Sequence, residues 1–323
     1  SYLTVLQESW ERDGLGRLAG AATCALAVAA VVLVSSARGG DANSTAEMRL
    51  RRALSDPLIV SWIAQSQRSQ KTSDSVGAEL SLAVPAAAVA AADFAQFDTH
   101  IKNFDLDCAS QVLESIPATN AVEYLYRVAE LEMARAGQCV DKSDEQWATV
   151  DRAMAMAEEA YAVDPSCAKA NEVLASALGL KMGKIKDEKG KLEAVWRLIK
   201  LCDAAIEADP TLPTPYHIKG RVQFQVSSIS SAIRYAATWI HPKGVPEATA
   251  EDALRNLMLA ERYMKPRFWH TNELIKAKCY HGMGDPVSAR ASAQKVLSTE
   301  MDPKVYTAET ADMLRTRARK LLL

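Results

Sequence analysis

Residues 158–170 read EEAYAVDPSCAKA and residues 203–215 read DAAIEADPTLPTP, and these two stretches decide the fold. In each, an Ala-rich amphipathic run stops at Asp-Pro and another begins within a few residues. Proline lacks an N–H and clashes with the preceding turn, so it ends a helix, yet it fits the first turn of the next one. The same break recurs as Lys265-Pro266 within MLAERYMKPRFWH (258–270) and as Asp302-Pro303 after QKVLST (294–299). A tetratricopeptide repeat is a helix–turn–helix unit of about 34 residues with Pro at its end. The interval from Pro266 to Pro303 approximates that period. The intervals from Pro165 to Pro210 and from Pro210 to Pro266 require longer helices or inserted loops. Gly220 within a helix and the Tyr280…Gly284 spacing add to the repeat pattern, and Ala at contact positions lets paired helices approach closely. A non-repetitive helical bundle is the competing architecture.

Working outward, amphipathic stretches alternate with short breaks from about residue 89 to the end, and few segments alternate with period two. The spacing predicts helices over 89–103, 106–116, 119–136, 144–162, 166–182, 185–208, 213–238, 249–264, 268–283, 286–299 and 303–321. Ser143 to Gln146 and Thr249 to Asp252 have the form of capping boxes, the second with Asp in place of Glu. Gly137, Gly183 and Gly284 stand where helices should stop. Composition agrees. Of 323 residues only 14 are Gly, and 49% are apolar against 24% charged, the balance of a globular chain rich in helix formers. Lys+Arg 38 against Asp+Glu 40 leaves a net charge of -2, which argues against a nucleic-acid partner.

The N-terminal part differs. Residues 18–37, LAGAATCALAVAAVVLVSSA, carry no charge and lie between Arg17 and Arg38. At about 1.5 Å per residue the run can cross a hydrocarbon core of roughly 30 Å, so a single transmembrane helix is expected. A cleavable signal, with small residues at Ser35 to Ala37, and a buried soluble helix are the other readings. Gly16, Gly20 and Cys24 form one row of small residues at four-residue steps, and Ala21, Ala25 and Ala29 form another. Such rows let membrane helices pack closely, although an Ala-rich run also produces them by chance. Arg38, Arg49, Arg51 and Arg52 outnumber Arg12 and Arg17, which leans the C-terminal body to the cytoplasm-like or matrix side. The expected organisation is an N-terminal segment 1–17, a membrane helix 18–37, a linker 38–88 and a helical-repeat domain 89–323. Within the linker, Thr45 to Trp62 forms a short amphipathic helix interrupted at Pro57, and QSQRSQKTSDSVG (65–77) is solvated.

Catalytic signatures are sparse. Cysteines 24, 108, 139, 167, 202 and 279 contain no CxxC pair and give no local metal framework. Cys279 and His281 stand two apart, which puts them on different helix faces, and nothing nearby completes a tetrahedral set. Histidines 100, 217, 241, 270 and 281 match no HExxH, and no Gly-rich phosphate loop is present. The basic run Lys181 to Lys191 is diluted by Asp187 and Glu188, and Trp196, Trp239 and Trp269 fall at different phases, so no base-stacking platform is expected. His217 and Arg221, four apart beside Gly220, share a helix face. They read either as a groove that takes an acidic group or as a structural hydrogen-bond cluster. No cofactor and no metal are expected.

Residues 216–224 (YHIKGRVQF), 246–254 (PEATAEDAL) and 260–268 (AERYMKPRF), followed by Asn272, make the stretch 160–300 similar to the regulator of microtubule dynamics family. The positions that carry the resemblance are His217, Gly220, Arg221, Thr249, Ala253, Leu254, Glu261 and Asn272. The run VQFQVSSISSAIRYAATWI (222–240) departs from the family's pattern, whose acidic and aromatic detail it largely lacks. The resemblance implies an all-α tetratricopeptide-like domain and, as in some members, an N-terminal helix anchored at mitochondria. It also brings Asn272 beside His217 and Arg221 as a third member of the polar cluster. The expected function is a non-catalytic, membrane-anchored helical-repeat scaffold, an accessory subunit of a mitochondrial membrane complex, with the inner membrane favoured. Its expected partners are other protein subunits, including their transmembrane helices, and membrane lipid. The alternative is a membrane-contact or cytoskeletal tether, or a lipid or peptide binder.

Overall fold

The computed structural model of the protein describes residues 94–116, 121–139 and 143–322. Residues 1–93 lie outside the described residues. The expected N-terminal segment, membrane helix and linker, and with them Gly16, Gly20, Ala21, Cys24, Ala25 and Ala29, therefore have no structural account. Among the described residues no helix is long and apolar enough to cross a membrane.

The chain turns where Asp precedes Pro. Asp164 Oδ1 accepts from the backbone N–H and the hydroxyl of Ser166 at 2.9 and 2.7 Å. Asp209 Oδ1 does the same for Thr211 at 2.9 and 2.7 Å. Asp302 Oδ1 accepts from the Lys304 N–H. The side chain thus holds a turn that the prolyl nitrogen cannot. These bonds favour the charged form and hold the Asp164 and Asp209 carboxyls below the usual range. Six residues past each proline of the first two turns, a side chain reaches back to the prolyl carbonyl: Asn171 to Pro165 at 2.8 Å and Tyr216 to Pro210 at 3.1 Å. Two different residue types thus fill one structural position.

Twelve α-helices follow among the described residues: α1 Ala95–Lys102, α2 Leu106–Ser115, α3 Val122–Ala136, α4 Asp144–Val163, α5 Ala168–Lys181, α6 Glu188–Ala208, α7 Pro213–Ser227, α8 Ser231–Ile240, α9 Ala250–Met264, α10 His270–Gly282, α11 Pro286–Ser298 and α12 Ala308–Lys320. Of the two expected capping boxes one is complete. Thr249 and Asp252 form a complete capping box at α9, and Ser143 accepts from the Gln146 N–H at α4. Gln146 also donates its side-chain amide to the Ala136 carbonyl, tying α4 to the end of α3. Gly284 follows α10 with φ +77, a conformation that L side chains rarely adopt.

The helices pair as α3 with α4, α5 with α6, α7 with α9, and α10 with α11, and α12 packs on the last pair. The leading members also touch along the stack, α3 to α5, α5 to α7 and α7 to α10. A small–large–small row makes this possible. Ala129, Met133 and Ala136 of α3 and Ala170, Leu174 and Ala177 of α5 are buried, and the partner helix α9 carries the same pattern in Ala253, Leu257 and Ala260. Alanine lets one helix settle close to its neighbour, while the larger residue fills the gap between pairs. The main core runs from α3 to α8, and a second gathers around Leu274, Val296 and Leu314.

Two findings differ from the sequence expectation. The helix expected over 213–238 is two helices, because the chain breaks at Ser228 to Ser230 and restarts with Ser230 as the cap of α8. Serine competes for backbone hydrogen bonds and ends a helix without Gly or Pro. As a result α8 is an insertion between α7 and its partner α9. The last helix starts at Ala308 rather than 303, since residues after Pro303 form a turn before the Thr307 cap. In addition, the α1–α2 corner meets the α9–α10 turn. Arg267 donates to the Lys102 carbonyl at 2.8 Å and lies over the Phe104 ring. The array curls far enough for its first hairpin to reach its fourth pair.

Candidate functional site

The leading helices carry a buried band of polar side chains, and His217 of α7 is its centre. The spacing places His217 and Arg221 on one face, and Gly220 between them lets α9 come close: a Cβ there would lie 2.9 Å from the Ala253 carbonyl oxygen. That approach brings in the start of α10. His217 Nδ1 and Asn272 Oδ1 are 2.9 Å apart, and Asn272 donates its amide to the Leu257 carbonyl at 2.8 Å. Since the Asn272 amide nitrogen faces a carbonyl, its oxygen faces the imidazole, and the neutral histidine carries its proton on Nδ1. Trp269 stacks on the ring at 4.1 Å between centroids. The structure therefore joins His217 to Asn272 directly and buries Arg221 one turn further along α7.

This setting opposes protonation of His217. Burial, with the positive Arg221 as the second cause, pushes its pKa down to about 3. The unfolded chain takes up a proton near pH 6.5, so stability from this site is full above that value. It is lost progressively as the pH falls from about 6.5 towards 3. Between pH 7 and pH 5 the loss is about 2 kcal/mol. His270, buried on α10, pulls in the same direction. Denaturant titrations across this range should show the slope, and His217→Gln, which keeps a donor for Asn272, should flatten it.

Ion pairs extend the band in both directions. Arg127 on α3 grips both Asp98 oxygens at 2.8 Å and Glu123 at 2.7 Å. Lys169 bridges Glu130 of α3 and Glu172 of α5 at 3.6 and 2.9 Å. Lys276 on α10 lies 2.6 Å from Glu261 of α9 and 2.8 Å from Glu273. The Glu273 and Lys276 side chains are only 3% and 6% exposed, so this pair is shielded from water and screens little.

The two buried thiols among the described residues are turned away from chemistry. Burial raises Cys279 to about 12 and raises Cys202 further. Such groups stay protonated and are weak nucleophiles. Among the described residues one trio of metal-capable atoms does converge, in the α1–α2 corner: those of His100, Asp105 and Cys108 lie within 4.8 Å of one another. Helix-end electrostatics account for it. Asp105 opens α2, His100 closes α1 at 3.5 Å from it, and the Cys108 thiol bonds the same carboxylate, which raises its pKa.

A family profile described as Regulator of microtubule dynamics protein 1-3 matches residues 93–322. The chain belongs to the regulator of microtubule dynamics family. Its similarity to Regulator of microtubule dynamics protein 1 of Caenorhabditis elegans is 30% identity over 139 residues, 43% of this chain and 60% of that one. With protein 2 of Bos taurus it is 32% over 99 residues, 31% of this chain and 24% of that one. The human protein 2 is 35% identical over 78 residues, 24% of this chain and 18% of that one. The chain thus matches 60% or less of the length of these relatives. A thermophilic TPR protein of Thermus thermophilus superposes with a TM-score of 0.44 at 16% identity, over 71% of this chain and 98% of that chain.

Several members of the band escaped the sequence reading. By sequence Trp269 is a core or groove residue, and nothing local announces that it covers His217. Glu273 and Lys276 resemble any solvated pair at helical spacing. Only the stacking of α9 and α11 on α10 removes them from water. The one available signal was that Asn272, Glu273 and Lys276 crowd polar groups onto a helix flanked by alternating core residues.

Proposed function

We propose that this member of the regulator of microtubule dynamics family is a non-catalytic, membrane-anchored scaffold, an accessory subunit of a mitochondrial membrane complex. Its described body is read as a tetratricopeptide-like repeat domain, preceded by a transmembrane helix at residues 18–37. The observation that carries the non-catalytic reading is that three cations of the leading helices are each held between two carboxylates. Arg127 is matched by Asp98 and Glu123, Lys169 by Glu130 and Glu172, and Lys276 by Glu261 and Glu273. Groups held this way fix the angles between helix pairs; they are not poised to exchange protons with a substrate. A stack with fixed curvature offers extended faces for protein partners. The uncharged run 18–37 and its rows of small residues support a helix packed among other membrane helices, with the inner membrane favoured. The near-balanced charge supports protein and lipid partners over nucleic acid.

The experiment is solubilisation of mitochondrial membranes in mild detergent, followed by sedimentation and identification of what travels with the chain. Migration in a stable large assembly is the expected result. Migration of the chain alone, with full recovery, overturns the subunit reading. Family membership favours a second reading, a tether between a membrane and microtubules. Co-sedimentation of the purified full chain with polymerised tubulin would favour it, and absence of the chain from that pellet would remove it.

A further inference from the structure

We propose that α8 is a membrane-docking helix whose outward face rests on a bilayer surface carrying anionic headgroups. The helix exists only because the chain breaks at Ser228 to Ser230. It is not a loosely attached excursion. Arg234 holds it down by donating to the carbonyls of Ile229, Pro246 and Val226. Ala237 is buried beneath it, and Trp196 Nε1 fixes the returning loop through the Gly244 carbonyl at 2.9 Å.

The face turned outward carries an apolar stripe, beside the exposed Ser231 and Thr238. Ala232, Tyr235, Ala236 and Trp239 follow at i, i+3, i+4 and i+7, one stripe of a helix. Tyr235 is 61% and Trp239 73% exposed, and their rings meet edge to face at 6.1 Å. Aromatic residues with a polar tip are the side chains that settle at headgroup depth. Charge points the same way. Between Asp209 and Glu247 the chain holds no acidic residue, and of its four cations there Arg221 is buried and Arg234 is taken up by backbone carbonyls. Lys219 is matched by Asp203 at 2.5 Å, but Lys243 is exposed at the end of α8 over the Trp196 ring. A cleft of about 770 Å³ opens between α6, α7 and α8 beside it, space for headgroups next to the inserted rings. Asp203 and Glu247 line that cleft together with Tyr235 and Lys243, and Asp203 is neutralised there by Lys219.

A bilayer suits this patch better than a second copy of the chain. Two large aromatics and two alanines bury roughly 400 Å², about half of what each partner contributes to a stable protein interface. Shallow insertion of a few aromatics beside a cation is a sufficient mode for an interfacial helix that is already tethered.

The inference rests on the proposed membrane anchoring, and the test separates the two. The full chain is reconstituted into nanodiscs of neutral lipid, nanodiscs with anionic lipid, and detergent, and backbone hydrogen exchange is followed across residues 229–243. Flotation with vesicles of the same lipids reports anchoring independently. Anionic discs should slow exchange across α8 by roughly tenfold relative to detergent, with a smaller effect in neutral discs and partial reversal by salt. Tyr235→Ser with Trp239→Ser should abolish that protection while the chain still floats and keeps its helical circular dichroism. A chain that floats but exchanges equally fast at α8 in detergent and anionic discs overturns the docking proposal alone. Protection that rises with protein concentration in detergent assigns the face to a second copy and overturns it as well. A chain that does not float sinks both readings.

Discussion

Lys276→Met should be strongly destabilising. The substitution leaves Glu273, 3% exposed, without the ammonium 2.8 Å from it, and removes the partner of Glu261 on the neighbouring helix. Breaking a buried ion pair by deleting one member costs about 3–5 kcal/mol, because the remaining charge stays out of water. In a helical body of this size that is a fall in melting temperature of roughly 10 °C. Lys295, 3.7 Å from Glu273 and largely exposed, can swing in and reduce the loss, but it approaches only one carboxylate oxygen. The double variant Lys276→Met with Glu273→Gln should recover much of the difference, since the amide needs no counter-charge. Thermal melts of the single and double variants check this, and a single variant that melts with the parent would show that water reaches the pair.

Gly220→Val should be the most damaging of the small core changes. A Cβ at this position would lie 2.9 Å from the Ala253 carbonyl oxygen and 2.9 Å from Leu257 Cγ. The leucine tip can rotate; the backbone carbonyl cannot move without α9. A mid-helix Gly→Ala change ordinarily gains about 1 kcal/mol, and here that gain is set against forcing two helices apart. Alanine should therefore be mildly destabilising, and valine, with two further methyl groups, should cost about 3 kcal/mol. The damage should also reach Asn272, whose amide bonds the carbonyl of Leu257. Chemical denaturation reads the loss, and the acid sensitivity of His217 should weaken in the same variant as its cage loosens. A neutral Gly220→Val would mean that α7 and α9 are not in contact here.

Most of the architecture was legible because the turns are built from local chemistry. Asp164-Pro165-Ser166 and Asp209-Pro210-Thr211 hold themselves in place, and Thr249 with Asp252 caps its own helix, so sequence alone locates them. The break between α7 and α8 was not legible, since Ser228 to Ser230 lacks both Gly and Pro and the apolar rhythm continues through it. The band was half legible for a similar reason. His217 and Arg221 are set by helical spacing within α7. The role of Asn272 depends on a backbone carbonyl fifteen positions away, and that of Trp269 on a stacking contact between helices. Charge pairs are the hardest to read. Lys276 with Glu273 and Lys189 with Glu193 look alike along the chain, yet the first is buried and the second lies in solvent.

A stack in which each pair meets only its neighbours can lose one end while the rest stands, its stability being a sum over adjacent contacts. The bond from Arg267 to the Lys102 carbonyl, with Phe104 beneath the guanidinium, changes that topology. Peeling α1 and α2 away from α3 also strips the cover from the α9–α10 turn, next to the aromatic that lies on His217. Melting of the two ends is thereby coupled, and the array unravels less like a zipper than like a belt whose buckle must open first.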